Sequence, residues 1–358
     1  MISQWSCSLK NAKTESMQEI LLGKSLAELQ CIAQEIGLPR FAGKQLAEWL
    51  YVRRAVTIDE MTNISLKGRE ALKAKYTVGR HGAVAEAVSK DGTKKYLFRV
   101  GDQYIESVYI PENDRATLCV STQAGCKMGC KFCMTGTLGF HGHLASGEIL
   151  NQIFSIPDSS KLTNIVYMGE GEPMDNLNQV LRSLEVMTSN WGCGWSPKRI
   201  TVSSVGILPS LKRYIEECEC HLAISLHNPF AIERQEVMPI EKAHHLNAVI
   251  TLLKQYDWSK QRRVSFEYIC WGGMNDSLKH ANELLRVLKG LDCRINLIRF
   301  HVSPTENHES VAFSSSNENQ MEWLRDYLTE HGITTTIRRS RGEDILAACG
   351  MLVNALKE

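Results

Sequence analysis

Hydrophobic and polar positions change their period twice along the chain. From Ser25 the apolar residues Leu26, Leu29, Ile32 and Ile36 recur at roughly helical spacing. Ser25 with Glu28 three residues later forms a capping box that starts this helix, and Gly37 stops it. Phe41, Leu46, Trp49 and Leu50 predict a second helix packed on the first, and a third runs from near Ile64 to near Tyr76. Residues 1–17 show no clear period. The pattern then becomes β-rich over Val84–Val88, Lys95–Val100 and Tyr104–Ile110, with Asp91-Gly92 as a hairpin turn.

From residue 116 strands and helices alternate. Thr117–Thr122, Asn164–Met168, Arg199–Ser204, His221–Leu226, Arg263–Ile269 and Arg294–Phe300 are expected strands. Helices are expected from Ser146 through Phe154, and over Met174–Met187, Leu208–Glu217, Leu246–Tyr256, Ser277–Leu288 and Asn319–His331. Such repetition implies parallel strands with right-handed crossovers. Six units are too few for the closed eight-stranded barrel. The fold class is therefore α/β, a partial six-unit (β/α)6 barrel with a small N-terminal helical domain and a short β element between them.

Composition narrows the class. A chain of 358 residues suits a barrel plus an appendage, and 43% hydrophobic with 23% charged residues is ordinary for a soluble globular protein. The first ten residues hold no apolar run suited to a signal peptide, and no stretch of 18 apolar residues predicts a membrane span. Twelve cysteines without a secretory signal point to reduced thiols, metal or catalysis, and to the cytoplasm. The net charge is +1, but residues 1–100 carry 16 Lys and Arg against 10 Asp and Glu. That basic third reads as a surface for a polyanion or as a solvated helical surface with excess lysine. It bears Arg40, Lys44, Arg53, Arg54, Lys67, Arg69, Lys73 and Lys75.

The chemistry centres on Cys126-Lys-Met-Gly-Cys130-Lys-Phe-Cys133, directly after the first barrel strand. Thiolates are soft ligands for zinc, Cu(I) or iron–sulfur clusters. Structural zinc takes four ligands and iron–sulfur clusters usually take four cysteines, whereas the next cysteine here is Cys193. Three thiolates on a four-iron cluster leave one iron open; the alternative is a zinc site completed by His141 or His143. Other polar groups fall where predicted strands end, the usual seat of chemistry in parallel α/β folds. They are Gly169-Glu170-Gly171-Glu172-Pro173 after the second strand, Ser203-Ser204 at the end of the third, Ser225-Leu226-His227 at the fourth, and Asn296 within the sixth. A buried, hydrogen-bonded core histidine is the plain reading of His227. Cys349, after Ala347-Ala348, reads alone as a small buried hydrophobe.

The cysteine spacing resembles the signature of the radical S-adenosylmethionine (SAM) enzymes, with Phe132 as the aromatic common before the last cysteine. The wider set is similar to the RlmN/Cfr family of RNA methyltransferases. It comprises Gly-Glu-Pro after strand two, Ser203, Ser-Leu-His at 225–227, Ile-Asn-Leu at 295–297, Glu106-Ser-Val-Tyr-Ile-Pro-Glu112, Cys119 and Arg341-Gly-Glu-Asp-Ile-Leu-Ala-Ala-Cys349-Gly. This match runs from about residue 20 to 352. The resemblance implies a [4Fe–4S] cluster on Cys126, Cys130 and Cys133. It implies SAM contacts at Gly171, Glu172, Ser203, Ser225, Leu226, His227 and Asn296. It also implies that Glu106 takes a proton, that Cys349 carries the methyl group, and that Cys119 is its disulfide partner. Together with the periodicity and the charge balance, this divides the chain into a basic helical RNA-docking domain (1–80), a β linker element (81–111), the core barrel (112–345) and a C-terminal segment bearing the methyl-accepting cysteine (346–358). Three positions depart from the family: Glu170 where methionine is usual, Met134 where a small residue is usual, and Phe300-His-Val-Ser-Pro for a Trp-Asn-Pro-type run. These are expected to change the pocket wall.

The implied reaction is methylation of adenosine C2 in 23S rRNA and in tRNA next to the anticodon, with a flavodoxin-type electron donor and a monomeric enzyme. C2 offers no lone pair, so the cofactor carries the hard step. Arg338, Arg339 and Arg341 would lower the pKa of Cys349 or bind RNA phosphate. The alternatives are a Cfr-like C8 methyltransferase, against which Pro173 speaks because alanine tends to stand there, and a non-enzymatic zinc or iron–sulfur RNA-binding protein or electron carrier. Strand alternation sets Cys119, Ser121 and Gln123 on one face, taken as the barrel interior. A bridged Cys119–Cys349 pair would hold its Cα atoms about 4.4–6.8 Å apart.

Overall fold

The computed structural model describes residues 18–258, 264–301 and 313–352. The expectations for residues 1–17, for Arg263 as a strand start, for Val302–Pro304 and for residues 353–358 lie outside the described residues. Helix α1 (Leu26–Glu35) begins at the predicted capping box: Glu28 N–H donates to Ser25 Oγ at 3.3 Å, and Ser25 N–H donates to the Glu28 carboxylate at 2.7 Å. Helix α2 (Ala42–Ala47) continues into a wider turn over Glu48–Val52, and α3 spans Leu66–Lys75. Leu29, Leu46 and Leu50 are sealed in the core, but Phe41 is 64% exposed. It stands just before α2, ahead of the buried face that begins at Ala42.

Strands β1 (Ala85–Val88), β2 (Lys94–Val100) and β3 (Gln103–Glu112) form an antiparallel meander. The meander is continuous with the barrel, because β3 pairs antiparallel with β4 (Arg115–Cys119). From β4 the sheet runs parallel through β5 (Asn164–Tyr167), β6 (Ile200–Ser204), β7 (His221–Ser225), β8 (Val264–Cys270), β9 (Cys293–Arg299) and β10 (Thr334–Arg338). The strands are joined by α4 (Ser146–Ser155), α5 (Leu177–Thr188), α6 (Leu208–Glu217), α7 (Ala231–Val237) with α8 (Leu246–Leu253), α9 (Leu278–Leu288) and α10 (Glu318–Glu330).

The six expected β/α units are present, followed by a seventh parallel strand, β10. Its sequence Thr-Thr-Thr-Ile-Arg has strand propensity but only Thr335 is buried, so no apolar alternation announces it. It pairs with β9 alone and forms one edge of the sheet. The first barrel strand ends at Cys119 instead of Thr122, so regular alternation stops before Ser121 and Gln123. Apolar side chains of β4 to β9 and of the surrounding helices form one core that takes in Leu21, Leu22, Leu29 and Leu46 from the N-terminal part. No helix among the described residues is long and apolar enough to cross a membrane.

Candidate active site

A cavity of about 150 Å³ opens at the carboxyl ends of the parallel strands. Its wall includes Cys126, Cys130 and Cys133, then Gly171, Glu172, Ser203, Ser225 and His227, and finally Cys349. Residues scattered over more than 220 positions thus meet in one place, because each follows or ends a barrel strand or returns from the C-terminal segment.

The cysteine loop is built by its flanks. Gln123–Gly125 pairs with Phe140–His143, and Cys126 N–H closes the loop on Gly139 O at 2.9 Å. Gly125 has φ +70°, and a Cβ there would lie 1.9 Å from Gly139 O, so no other residue fits. Within the loop Cys133 N–H donates to Cys130 O at 3.1 Å. Lys131 N–H reaches Val237 O at 3.0 Å, and Met134 N–H reaches Gly350 O at 2.8 Å. The loop is thereby tied both to α7 and to the residue after Cys349.

Burial raises all three thiols, Cys126 to about 12; repulsion from neighbouring cysteines adds to the rise at Cys126 and Cys130, and Glu170 adds to it at Cys133. Cys130 is buried and Cys126 and Cys133 are half-buried, and three such thiols facing one cavity are costly to ionise unless a soft cation takes the protons' place. That donor set fits an iron–sulfur cluster, in which each thiolate binds its own iron and no three-fold chelate of a single ion is required. The two histidines weighed for a zinc site are engaged elsewhere: His141 Nε2 lies 3.0 Å from Leu138 O and His143 Nδ1 lies 3.1 Å from Gln123 Nε2.

Across the cavity, Glu172 is fixed by Met174 N–H and Val205 N–H, each 3.0 Å from a carboxylate oxygen. Burial pushes its pKa up to about 7. Gly171, at φ +94°, brings the backbone against Gln123, where a Cβ would lie 2.5 Å from that side chain. His227 adopts a left-handed φ of 56°, and its Nδ1 accepts from Ile269 N–H at 3.1 Å, which leaves the ring proton on Nε2. Burial lowers its pKa to about 3, so the ring is neutral and packs edge-on to Phe132 at 4.7 Å.

Two expected SAM contacts do not line the cavity. The Leu226 side chain lies in the core, and its backbone is engaged by Glu267 O and Arg234 Nε at 3.0 Å each. Asn296 instead orients a neighbour: its Nδ2 donates to Glu267 Oε1 at 2.8 Å and its Oδ1 accepts from Thr336 Oγ1 at 2.9 Å. Glu267 lines the cavity and pairs with Arg338 at 3.2 Å. Sequence reasoning passed over Glu267, although a lone carboxylate in Val-Ser-Phe-Glu-Tyr-Ile-Cys was the available signal. The three departures from the family also stand behind the wall: Glu170, Met134 and Phe300 are buried and do not face the cavity.

Cys349 is exposed and borders both this cavity and a second of about 340 Å³, lined by Arg115, His301, Arg338, Arg339 and Arg341 among others. Cys119 is buried, and Val108, Val166, Ala347 and Leu352 pack around it. Burial and the neighbouring Cys349 push its thiol up to about 12, while Arg338 acts against the rise. Arg338 also acts electrostatically on Cys349, so one guanidinium serves both sulfurs. Both cysteines are free thiols here. Glu106 is buried on β3 outside the cavity wall, with Lys95 Nζ 2.8 Å from its carboxylate.

Residues 20–78 match the ribosomal RNA large subunit methyltransferase N-terminal domain, and residues 120–286 match the radical SAM superfamily. A Bacteroides fragilis protein named as a probable dual-specificity RNA methyltransferase RlmN is 57% identical over 94% of this chain and 97% of its own length. Its Phocaeicola vulgatus counterpart is 55% identical over 96% and 97%. The crystal structure of a radical SAM methyltransferase from Sphaerobacter thermophilus superimposes with a TM-score of 0.87 at 35% identity, covering 94% of this chain and all of that one. Cysteine loop, strand-end polar groups and terminal cysteine thus stand in a chain matched along nearly its whole length, which belongs to the RlmN family of radical SAM RNA methyltransferases.

Proposed function

We propose that this chain methylates C2 of adenosine in 23S rRNA and in tRNA beside the anticodon, through a methyl group carried on Cys349. The observation that carries the reading is the position of Cys349. It stands on the wall of the cavity that holds the three loop cysteines and opens toward an arginine-lined cavity on its other side. When bound, the cluster and SAM supply one-electron cleavage of a sulfonium, the step an unreactive ring carbon requires. Cys126, Cys130 and Cys133 hold the cluster, and Glu172 accepts from the SAM ammonium. The neutral His227 ring presents Nε2–H as a donor. Ser203 and Ser225 offer hydroxyl and backbone groups to the remainder of the ligand. Asn296 acts through Glu267 in this reading.

Cys349 accepts a methyl group as a thiolate, the nucleophilic form of the side chain, beside Arg338 on the same cavity wall. Glu106 takes the proton from the base carbon, and Cys119 attacks the Cys349 sulfur to free the methylated base, leaving a disulfide for reduction. In this reading the enzyme works in the cytoplasm as a monomer, with a flavodoxin-type protein as electron source. Mass analysis of RNA nucleosides from cells lacking and then regaining the gene tests the reading. C2-methyladenosine that disappears and returns supports it; C8-methyladenosine assigns the chain to the other branch of the family. Anaerobic metal analysis that finds zinc without sulfide sinks the radical reading.

A further inference from the structure

Glu106 is held by an ion pair that the reaction scheme does not account for. Lys95 on β2 places Nζ 2.8 Å from Glu106 Oε1, and the two side chains are 9% and 2% exposed. Register explains the contact. Lys95 pairs with Val108 and Leu97 with Glu106, so Lys95 reaches Glu106 diagonally across the sheet on one face. Val108 in turn pairs with Cys119, which puts Lys95, Glu106 and Cys119 on the same face. Because β3 runs antiparallel to β4, Glu106 lies beyond Cys119 toward the carboxyl ends of the parallel strands, where the cavity opens. Ile345 and Ala347, just before and at the start of the C-terminal segment, pack with Val108 and Cys119, so this face also receives the chain that carries Cys349.

The backbone of Glu106 is fixed as well. Its N–H donates to the Glu170 carboxylate at 2.7 Å, and its carbonyl accepts from Ser121 Oγ at 2.6 Å. A buried ion pair contributes less stability than a well-packed apolar pair of the same volume, so stability does not explain Lys95 at this position. We infer that Lys95 is a positioning residue: its ammonium holds the Glu106 carboxylate in the orientation that receives the proton from the base carbon. This rests on the reading of Glu106 as the proton acceptor. In that step the carbon–hydrogen bond breaks, its electron pair stays with the base, and the proton forms an O–H bond on Glu106. Lys95 keeps its protons throughout.

The test uses full-length enzyme with its cluster reconstituted, and RNA bearing hydrogen or deuterium at C2 of the target adenosine. Lys95→Gln is expected to slow product formation on the order of 100-fold, as a misplaced reacting group does. It is also expected to raise the hydrogen-to-deuterium rate ratio above the wild-type ratio and to accumulate RNA covalently bound through Cys349. Lys95→Arg should restore most of the rate, and neither variant should lose iron or SAM cleavage. Glu106→Gln, run in parallel, should raise the ratio too. A Lys95→Gln enzyme with the wild-type isotope ratio overturns the inference, as does one that loses iron and forms less adduct than wild type, since that assigns Lys95 to folding. If Glu106→Gln itself keeps the wild-type ratio, the proton-acceptor reading fails first, which separates the two failures.

Discussion

Cys349 and Cys119 meet the same arginine from different environments, one exposed between two cavities and the other sealed among apolar side chains. A buried thiol pushed up to about 12 stays protonated until something draws it into reaction, which suits a group that acts last. Cys349→Ala should give no product. Cys119→Ala should keep the carrier but lose the release step, so enzyme should accumulate bound to RNA, seen as a shifted band that ribonuclease collapses. Wild-type turnover without that band leaves Cys119 as a core residue. Glu172 adds a pH dependence. Its folded pKa of about 7 lies above the 4.5 of an ordinary glutamate, so the stability it contributes is present below about pH 4.5 and is lost as pH rises through 7. SAM affinity should run the other way, since only the carboxylate accepts from the ammonium. Titration calorimetry between pH 6 and 8 should show tighter binding at the higher pH, and Glu172→Gln should flatten that slope. An unchanged slope in the variant removes Glu172 from the ammonium site.

At the level of elements, the strand ends are held by a cation that no sequence pattern announced. Arg234 on α7 is fully buried and ion-paired with Glu241. Its remaining nitrogens donate to Leu226 O at 3.0 Å, Val205 O at 3.1 Å and Ser225 O at 2.9 Å. One side chain thus binds the ends of β6 and β7, while Val237 at the end of the same helix accepts from Lys131 in the cysteine loop. Removing the guanidinium leaves the buried Glu241 carboxylate with only Leu246 N–H and His245 Nδ1, at 3.5 Å, beside it. Arg234→Ala should therefore lose about 3–5 kcal/mol, measured by chemical denaturation. It should also weaken cluster retention, read as iron per protein, because the loop loses its anchor. A loss below about 1 kcal/mol is inconsistent with this role.

Across the whole molecule, the N-terminal helices and the barrel share one core, so they are not separable by a cut. Arg182 of α5 is ion-paired with Glu28 of α1, and Tyr51 packs edge-on against Trp191 at 5.8 Å. Deleting residues 1–90 would remove β1 and much of this core; the remainder should unfold, so that deletion is no test of RNA docking. Several of the N-terminal cations are also already paired: Arg53 with Glu48 at 2.7 Å, Lys75 with Glu35 at 2.7 Å, and Lys73 with Asp59 and Glu70 at 2.8 Å each. Arg54 lies over the Phe154 ring at 5.1 Å. The exposed Lys44 and Lys67 are better probes. Reversing both to Glu should weaken RNA binding and reduce the slope of log K against log salt by about 1–2. An unchanged slope places RNA contact on another face.

Local patterns in the sequence determined most of the fold. The capping box at Ser25, the hairpin at Asp91-Gly92 and the alternation of strands with helices act over a few residues, where spacing alone fixes the geometry. The cysteine loop was legible for the same reason, since its three ligands share eight residues. Edge strand β10 was not, because strand propensity without burial leaves no alternation to read. Nor were the pairs that tune the site. Lys95 with Glu106, Glu267 with Arg338, and Arg234 with Glu241 and the strand-end carbonyls are set by register, by strand order and by which helix end faces which strand. The burial that makes such charges matter belongs to the folded molecule: a carboxylate reads alike at 106, 172 and 267 in a sequence, and only packing decides that Glu106 and Glu267 are paired with cations while Glu172 is pushed toward neutrality.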